Sequence, residues 1–146
     1  SLYYDLHDKL GANVPKPNLE EVKNQIFALT DCIDNELIIS CHDIADGGVV
    51  STLAEMTFGN EIGFDVEILG ELSNEKLLFS ETGGFVLEVD PKNVNGVKSV
   101  FSKYNLDVPE IGKTTSHQSL VINNAIINVS VRKAKEAWTN GLREKL

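Results

Sequence analysis

Basic side chains are scarce in this sequence: 13 lysines and arginines stand against 22 aspartates and glutamates, a formal net charge of −9 over 146 residues. No Lys/Arg cluster precedes Arg132-Lys133. Such a chain repels a phosphate backbone at long range, which argues against nucleic-acid binding but not against one small phosphate held by backbone amides. Cysteine is scarcer still. Cys32 and Cys41 form no CxxC and have no second pair, so neither a zinc site nor a disulfide framework is expected, and both thiols are read as reduced and partly buried. Long apolar runs are missing too. Nothing approaches the ~20 residues needed to span a bilayer, and no basic segment leads into an apolar signal core. A cytoplasmic protein without membrane contact is the expectation. Without a secretory signal, the triplet Asn128-Val129-Ser130 is read as a chance glycosylation match.

Apolar residues at 42% and charged residues at 24% are ordinary for a globular chain, and this length makes one domain with one core. Ser1–Asn18, which opens without methionine and carries Gly11, Pro15 and Pro17, reads as a leading arm cut from a longer polypeptide. Leu19, Val22, Ile26, Leu29 and Ile33 then recur at helical spacing behind Asn18 as N-cap, and this stripe is expected to pack on a sheet. Leu37 to Cys41 reads as a central strand buried on both faces. Val49 to Phe58 forms a second helix, with Glu55 away from its inner face, and Gly63 to Ile68 alternates as a one-sided or edge strand. Ser73 caps a short helix through Phe79, and Phe85 to Val89 is another strand. Asp90-Pro91 starts a helix whose buried stripe includes Val97, Val100 and Phe101. Val108 to Thr115 and Ser119 to Ile122 are read as strands, with Asn123-Asn124 turning into Ala125 to Val129. Ser130 caps a last helix with Val131, Ala134, Trp138 and Leu142 on one side. The predicted fold class is α+β, a two- or three-layer sandwich with a mixed sheet flanked by helices.

Chemistry concentrates where the first strand meets the second helix, at His42-Asp43-Ile44-Ala45-Asp46-Gly47-Gly48. Two glycines at a helix start let an anion approach the backbone amides, and they equally allow a tight turn with close helix packing. Asp43 and Asp46 would repel a bare phosphate, so they suit ribose hydroxyls or a magnesium-bridged phosphate; Asp46 is equally an N-cap candidate. His42 is a hydrogen-bonded structural or substrate-facing histidine. A metal-dependent His-Asp site would need further histidines in register, and only His7 and His117 remain. Ser80-Glu81, ahead of a second glycine pair, either converges on the same crevice or forms a turn with a solvated carboxylate. Gly112-Lys113-Thr114 lacks the earlier glycine and the following helix of a phosphate-binding loop.

Taken together, His42 to Gly48, Leu53-Ala54-Glu55-Met56, Phe58, Gly63, Leu78-Phe79-Ser80-Glu81 and Phe85 to Val89 resemble the carboxyl-terminal part of the phosphoribosylformylglycinamidine synthases. Ala137-Trp138 resembles the same family's tail. These are ATP- and glutamine-dependent enzymes of purine biosynthesis, in the aminoimidazole ribonucleotide synthetase superfamily. The resemblance implies a fold like that synthetase's carboxyl-terminal domain. It implies ATP and magnesium as cofactors of the whole enzyme, with none certain for this chain. Its implied partners are an upstream ATP-binding half, a glutaminase subunit or domain, and a small ribonucleotide. His42, Asp43, Asp46, Gly47, Gly48 and Glu81 become substrate-side candidates, while catalytic residues stay unassigned and no metal ligand is named. Where the family has serine this chain has Ala45, which removes a hydroxyl. The competing expectation is a stand-alone ribonucleotide-binding or regulatory module with the same fold and no catalysis.

Overall fold

In the computed structural model, residues 1–11 and 16–141 are described. Among these residues six α-helices, α1 (Leu2–Asp5), α2 (Leu19–Asp34), α3 (Gly48–Thr57), α4 (Asn74–Phe79), α5 (Val94–Lys103) and α6 (Val131–Asn140), accompany six strands of four residues each. The strands are β1 (Ser40–Asp43), β2 (Gly63–Val66), β3 (Phe85–Glu88), β4 (Gly112–Thr115), β5 (Ser119–Ile122) and β6 (Ile127–Ser130). The fold class is α+β as expected, but the strands divide into two sheets. β1 and β3 form an antiparallel pair, and the other four lie in the order β4-β2-β5-β6. Within the larger sheet β2 and β5 run parallel while its outer pairs are antiparallel.

Local signals set most boundaries. Asn18 Oδ1 accepts the N–H groups of Glu20 and Glu21 at 3.2 and 3.4 Å, so α2 begins where the cap predicts. Asp90 accepts from Lys92 N–H at 3.0 Å, starting a 3-10 turn over Pro91–Asn93 that feeds α5. Ser130 accepts from Lys133 N–H at 3.2 Å and starts α6. Asn123 and Asn124 take φ of 50° and 53°, turning β5 into β6 as asparagine permits. In α6, Val131 is fully buried and Trp138 lies against Phe58 at 5.6 Å; Leu142 and Pro15 lie outside the described residues.

Two apolar clusters organise the layers. One joins Leu53, Phe58, Phe64, Val66, Leu78, Leu120, Ile122 and Val131, between the four-stranded sheet and α3, α4 and α6. The other joins Ala28 and Cys32 of α2 to Val97, Val100 and Phe101 of α5. Strand alternation distributes β3 between them, since Val86 belongs to the first cluster and its neighbour Leu87 packs on the second. The β1-β3 pair is thus a middle layer, with α2 and α5 on one side and α3 on the other.

Three expectations are corrected by this packing. The stripe of α2 does not cover a sheet: Leu19 is 77% exposed and Ile33 50%, with Val22 and Ile26 exposed as well. The buried residues of the helix are Ala28 and Cys32, whose small side chains permit close approach to α5, and polar contacts hold that rotation. Tyr104 donates to Asp31 Oδ2 at 2.6 Å, and Asn24 donates to the Tyr104 carbonyl at 3.4 Å. Leu37 to Cys41 is not a strand buried on both faces, because β1 starts at Ser40, pairs only with β3, and leaves Ile39 64% exposed. The thiols differ from the shared partly buried state: Cys32 is fully buried and Cys41 exposed. Burial, then the neighbouring Asp31 carboxylate, pushes the Cys32 thiol's pKa up. The leading arm contains α1, whose Tyr3 ring stacks on Phe79 at 4.4 Å.

Candidate functional site

β1 delivers His42 and Asp43 to its carboxyl end, a short loop carries Ala45 and Asp46, and α3 begins at Gly48. Gly47 and Gly48 have φ of +80° and +70°. A Cβ at Gly48 would lie 2.7 Å from the Leu78 carbonyl oxygen and 2.8 Å from Phe79 backbone atoms, so α3 can start here only by resting on the end of α4. Gly47, not Asp46, is the N-cap residue. The Asp46 side chain is exposed and makes no hydrogen bond or ion pair among the described residues.

Glu81 fills the place next to that helix start. Its Oε1 accepts Gly47 N–H at 3.1 Å and Leu2 N–H at 2.8 Å, binding α1, the α3 start and the loop after α4 to one carboxylate. Partial burial acts to raise its pKa, but the Leu2 and Gly47 N–H groups together with the Ser1 ammonium outweigh it and hold the carboxyl below the usual glutamate value. Gly48 N–H donates to the Ala45 carbonyl at 3.0 Å. Both glycine amides singled out in the sequence are therefore engaged within the chain. The two glycine-bearing loops are joined a second time by Ile44 N–H, which donates to Gly84 O at 2.8 Å.

His42 is held from two sides. Its Nδ1 lies 2.8 Å from the Asp43 carbonyl and therefore donates to it. Its Nε2 faces Glu55 Oε2 at 3.3 Å. The same Asp43 carbonyl accepts from Thr52 Oγ1 at 3.0 Å. The Asp43 carboxylate, 66% exposed, has Oδ1 3.4 Å from His42 Nδ1. Sequence reasoning placed Glu55 away from the packed face and passed over Thr52, although two polar residues three apart on the helix behind a glycine pair share one face.

The arrangement leaves Asp43, next to the His42 ring, and Asp46, on the loop that follows, as exposed carboxylates suited to hydroxyl or amine donors. No group of three or more His, Cys, Asp or Glu side chains disposed to hold a metal occurs among the described residues. A large groove of about 1580 Å³ runs nearby, with Ile44, Val49 and Gly84 on its wall. None of the six candidate residues lines it. The candidate residues and this groove are thus separate features, and the candidate residues lie at the strand-loop-helix junction.

A strand-loop-helix junction stitched to a second glycine loop, inside a three-layer α+β sandwich, has clear counterparts. The sequence profile described as "AIR synthase related protein, C-terminal domain" matches residues 4–123, and the chain belongs to that family. Among curated relatives, the phosphoribosylformylglycinamidine synthase subunit PurL of Methanothrix thermoacetophila is 32% identical over 140 residues, covering 93% of this chain and 18% of its own length. The same subunit of Thermoplasma volcanium is 32% identical over 148 residues, covering 97% and 19%. The chain thus spans under a fifth of the length of these relatives. Among solved structures, Thermotoga maritima PurL complexed with AMPPCP superimposes with a TM-score of 0.73 at 18% identity over 85% of this chain and 23% of its own. The PurLQS structure from the same organism gives 0.72 at 16% identity, over 82% and 22%. At such identities the structural likeness establishes the shared fold.

Proposed function

We propose that this chain is the carboxyl-terminal domain of a phosphoribosylformylglycinamidine synthase, a ligase that converts formylglycinamide ribonucleotide to formylglycinamidine ribonucleotide with ATP and glutamine. The observation that carries the reading is the family match together with relatives that bear this enzyme's name along nearly the whole of the chain. ATP phosphorylates the formylglycinamide oxygen, and ammonia released by a glutaminase subunit or domain displaces the phosphate. An upstream half supplies the ATP-binding wall, and this chain supplies the opposite one. The reading is supported by a PurL structure complexed with AMPPCP and by PurL's occurrence in the PurLQS assembly.

On this wall, Asp43 and Asp46 accept hydrogen bonds from the ribonucleotide's hydroxyls, His42 borders them, and Glu81 with Gly47 and Gly48 fixes the loop that carries them. Magnesium would accompany ATP in the whole enzyme; Asp43 and Asp46, exposed carboxylates at this junction, would be the groups to hold it, and it would neutralise phosphate charge. The reaction is placed in the cytoplasm as part of this reading; among the described residues no helix is long and apolar enough to cross a membrane. The test is ATP-dependent amidation by the complete polypeptide carrying this chain. Asp46→Ala is expected to raise the KM for the ribonucleotide roughly tenfold, the cost of one lost charge-assisted hydrogen bond. Full activity with unchanged KM would remove Asp46 from the site, and no amidation by the unaltered polypeptide would remove the function.

A further inference from the structure

We propose that Glu55, one helical turn beyond Thr52 on α3, is a positioning residue that sets the Asp43 carboxylate through His42. This rests on the reading of Asp43 as a ribonucleotide contact. The end of β1 carries two groups that need orienting, an imidazole and a carboxylate, and neither is held by burial: the side chains of His42 and Asp43 are 34% and 66% exposed. α3 supplies the constraint. Buried Thr52 ties the Asp43 carbonyl to the helix through its hydroxyl at 3.0 Å, so the backbone at the strand end is fixed. His42 uses the same carbonyl for Nδ1 at 2.8 Å, which alone would leave the ring free to change rotamer.

Glu55 Oε2 supplies a second contact at Nε2, 3.3 Å away, an ion pair when the ring carries a proton on each nitrogen. In that doubly protonated form the planar ring is contacted at each nitrogen by a different element, which restricts both χ1 and χ2, as a metal-bound histidine is oriented by the partner of its other nitrogen. The Nδ1 edge then stands 3.4 Å from Asp43 Oδ1, giving that carboxylate a neighbour of fixed position on an otherwise solvent-facing side chain. Glu55 itself is removed from the ligand by the width of the imidazole. It acts on binding through His42, and no step of the reaction passes through it.

The test uses the complete polypeptide, with Glu55→Ala and Glu55→Gln made in unaltered and His42→Ala backgrounds and histidine ring nitrogens labelled for NMR. Glu55→Ala is expected to release the His42 ring, seen as loss of its nuclear Overhauser contacts to α3, and to raise the KM for formylglycinamide ribonucleotide roughly fivefold with kcat nearly unchanged. Glu55→Gln should restore most of both, because its amide N–H can donate to Nε2 of the Nδ1–H tautomer. In the His42→Ala background Glu55→Ala should add almost nothing. A ring that stays fixed in Glu55→Ala overturns the proposal, as does an unchanged KM or an equal effect without His42. If the unaltered polypeptide shows no amidation, the functional reading fails; direct binding of the same ribonucleotide by calorimetry then reads the effect, and equal affinity of the unaltered and Glu55→Ala polypeptides overturns the positioning role as well.

Discussion

The two glycine pairs, Gly47-Gly48 before α3 and Gly83-Gly84 before β3, share one backbone habit in different surroundings. All four residues have positive φ, from +70° to +120°. At Gly48 an added methyl group would meet the backbone of Leu78 and Phe79, whereas at Gly83 nothing lies within 4 Å of it. In the first pair Gly48 is dictated by packing between two helices and Gly47 by the Ser51 side chain of its own helix, whereas the second pair is dictated by chain direction. The pairs are nevertheless coupled, since Glu81, two residues before Gly83, accepts from Gly47, and Gly84 accepts from Ile44. A close-packed corner is therefore held in register by an open one.

Substitution can separate the two. Gly48→Ala should be the most damaging change, costing about 3 kcal/mol through backbone overlap and a left-handed conformation together. Urea unfolding would measure it, and a loss no larger than that at Gly83 would erase the distinction. Next, Glu81→Ala should cost about 2 kcal/mol by leaving two backbone donors without their carboxylate, while Glu81→Gln keeps an oxygen acceptor and should cost less. The ordering has a pH signature. The folded-state pKa of Glu81 lies below its ordinary value, so its contribution is fully present above the unfolded pKa of about 4.3 and is lost as pH falls through the folded one. The gap between the unaltered chain and Glu81→Gln should close on acidification, and a gap independent of pH would sink the assignment. The smallest effect belongs to Gly83→Ala, about 1 kcal/mol from backbone conformation only.

Much of this was legible in the sequence because it is local. Asn18, Asp90 and Ser130 cap the helices they were expected to cap, and Asn123-Asn124 turns a hairpin, since each signal involves atoms within a few residues. The face of α2 was not legible. Its apolar stripe is the stronger pattern, yet Ala28 and Cys32 fit α5 and Tyr104 bonds to Asp31, a choice that depends on residues some seventy positions away. At the junction, residue types named the candidates but not their partners. Nothing in the order of residues says that Glu81 would take the Gly47 amide or that Glu55 would meet His42.

The parallel pairing of β2 with β5 bears on how the molecule comes to exist. Ile68 and Asn123, which exchange hydrogen bonds at the end of that pair, are 55 positions apart, and α4, β3, α5 and β4 all lie between. The larger sheet therefore cannot close over its core until most of the chain is available, and closing so long a loop costs entropy before any contact repays it. Refolding should be slow, with the hairpin of β5 and β6 formed early and waiting for β2.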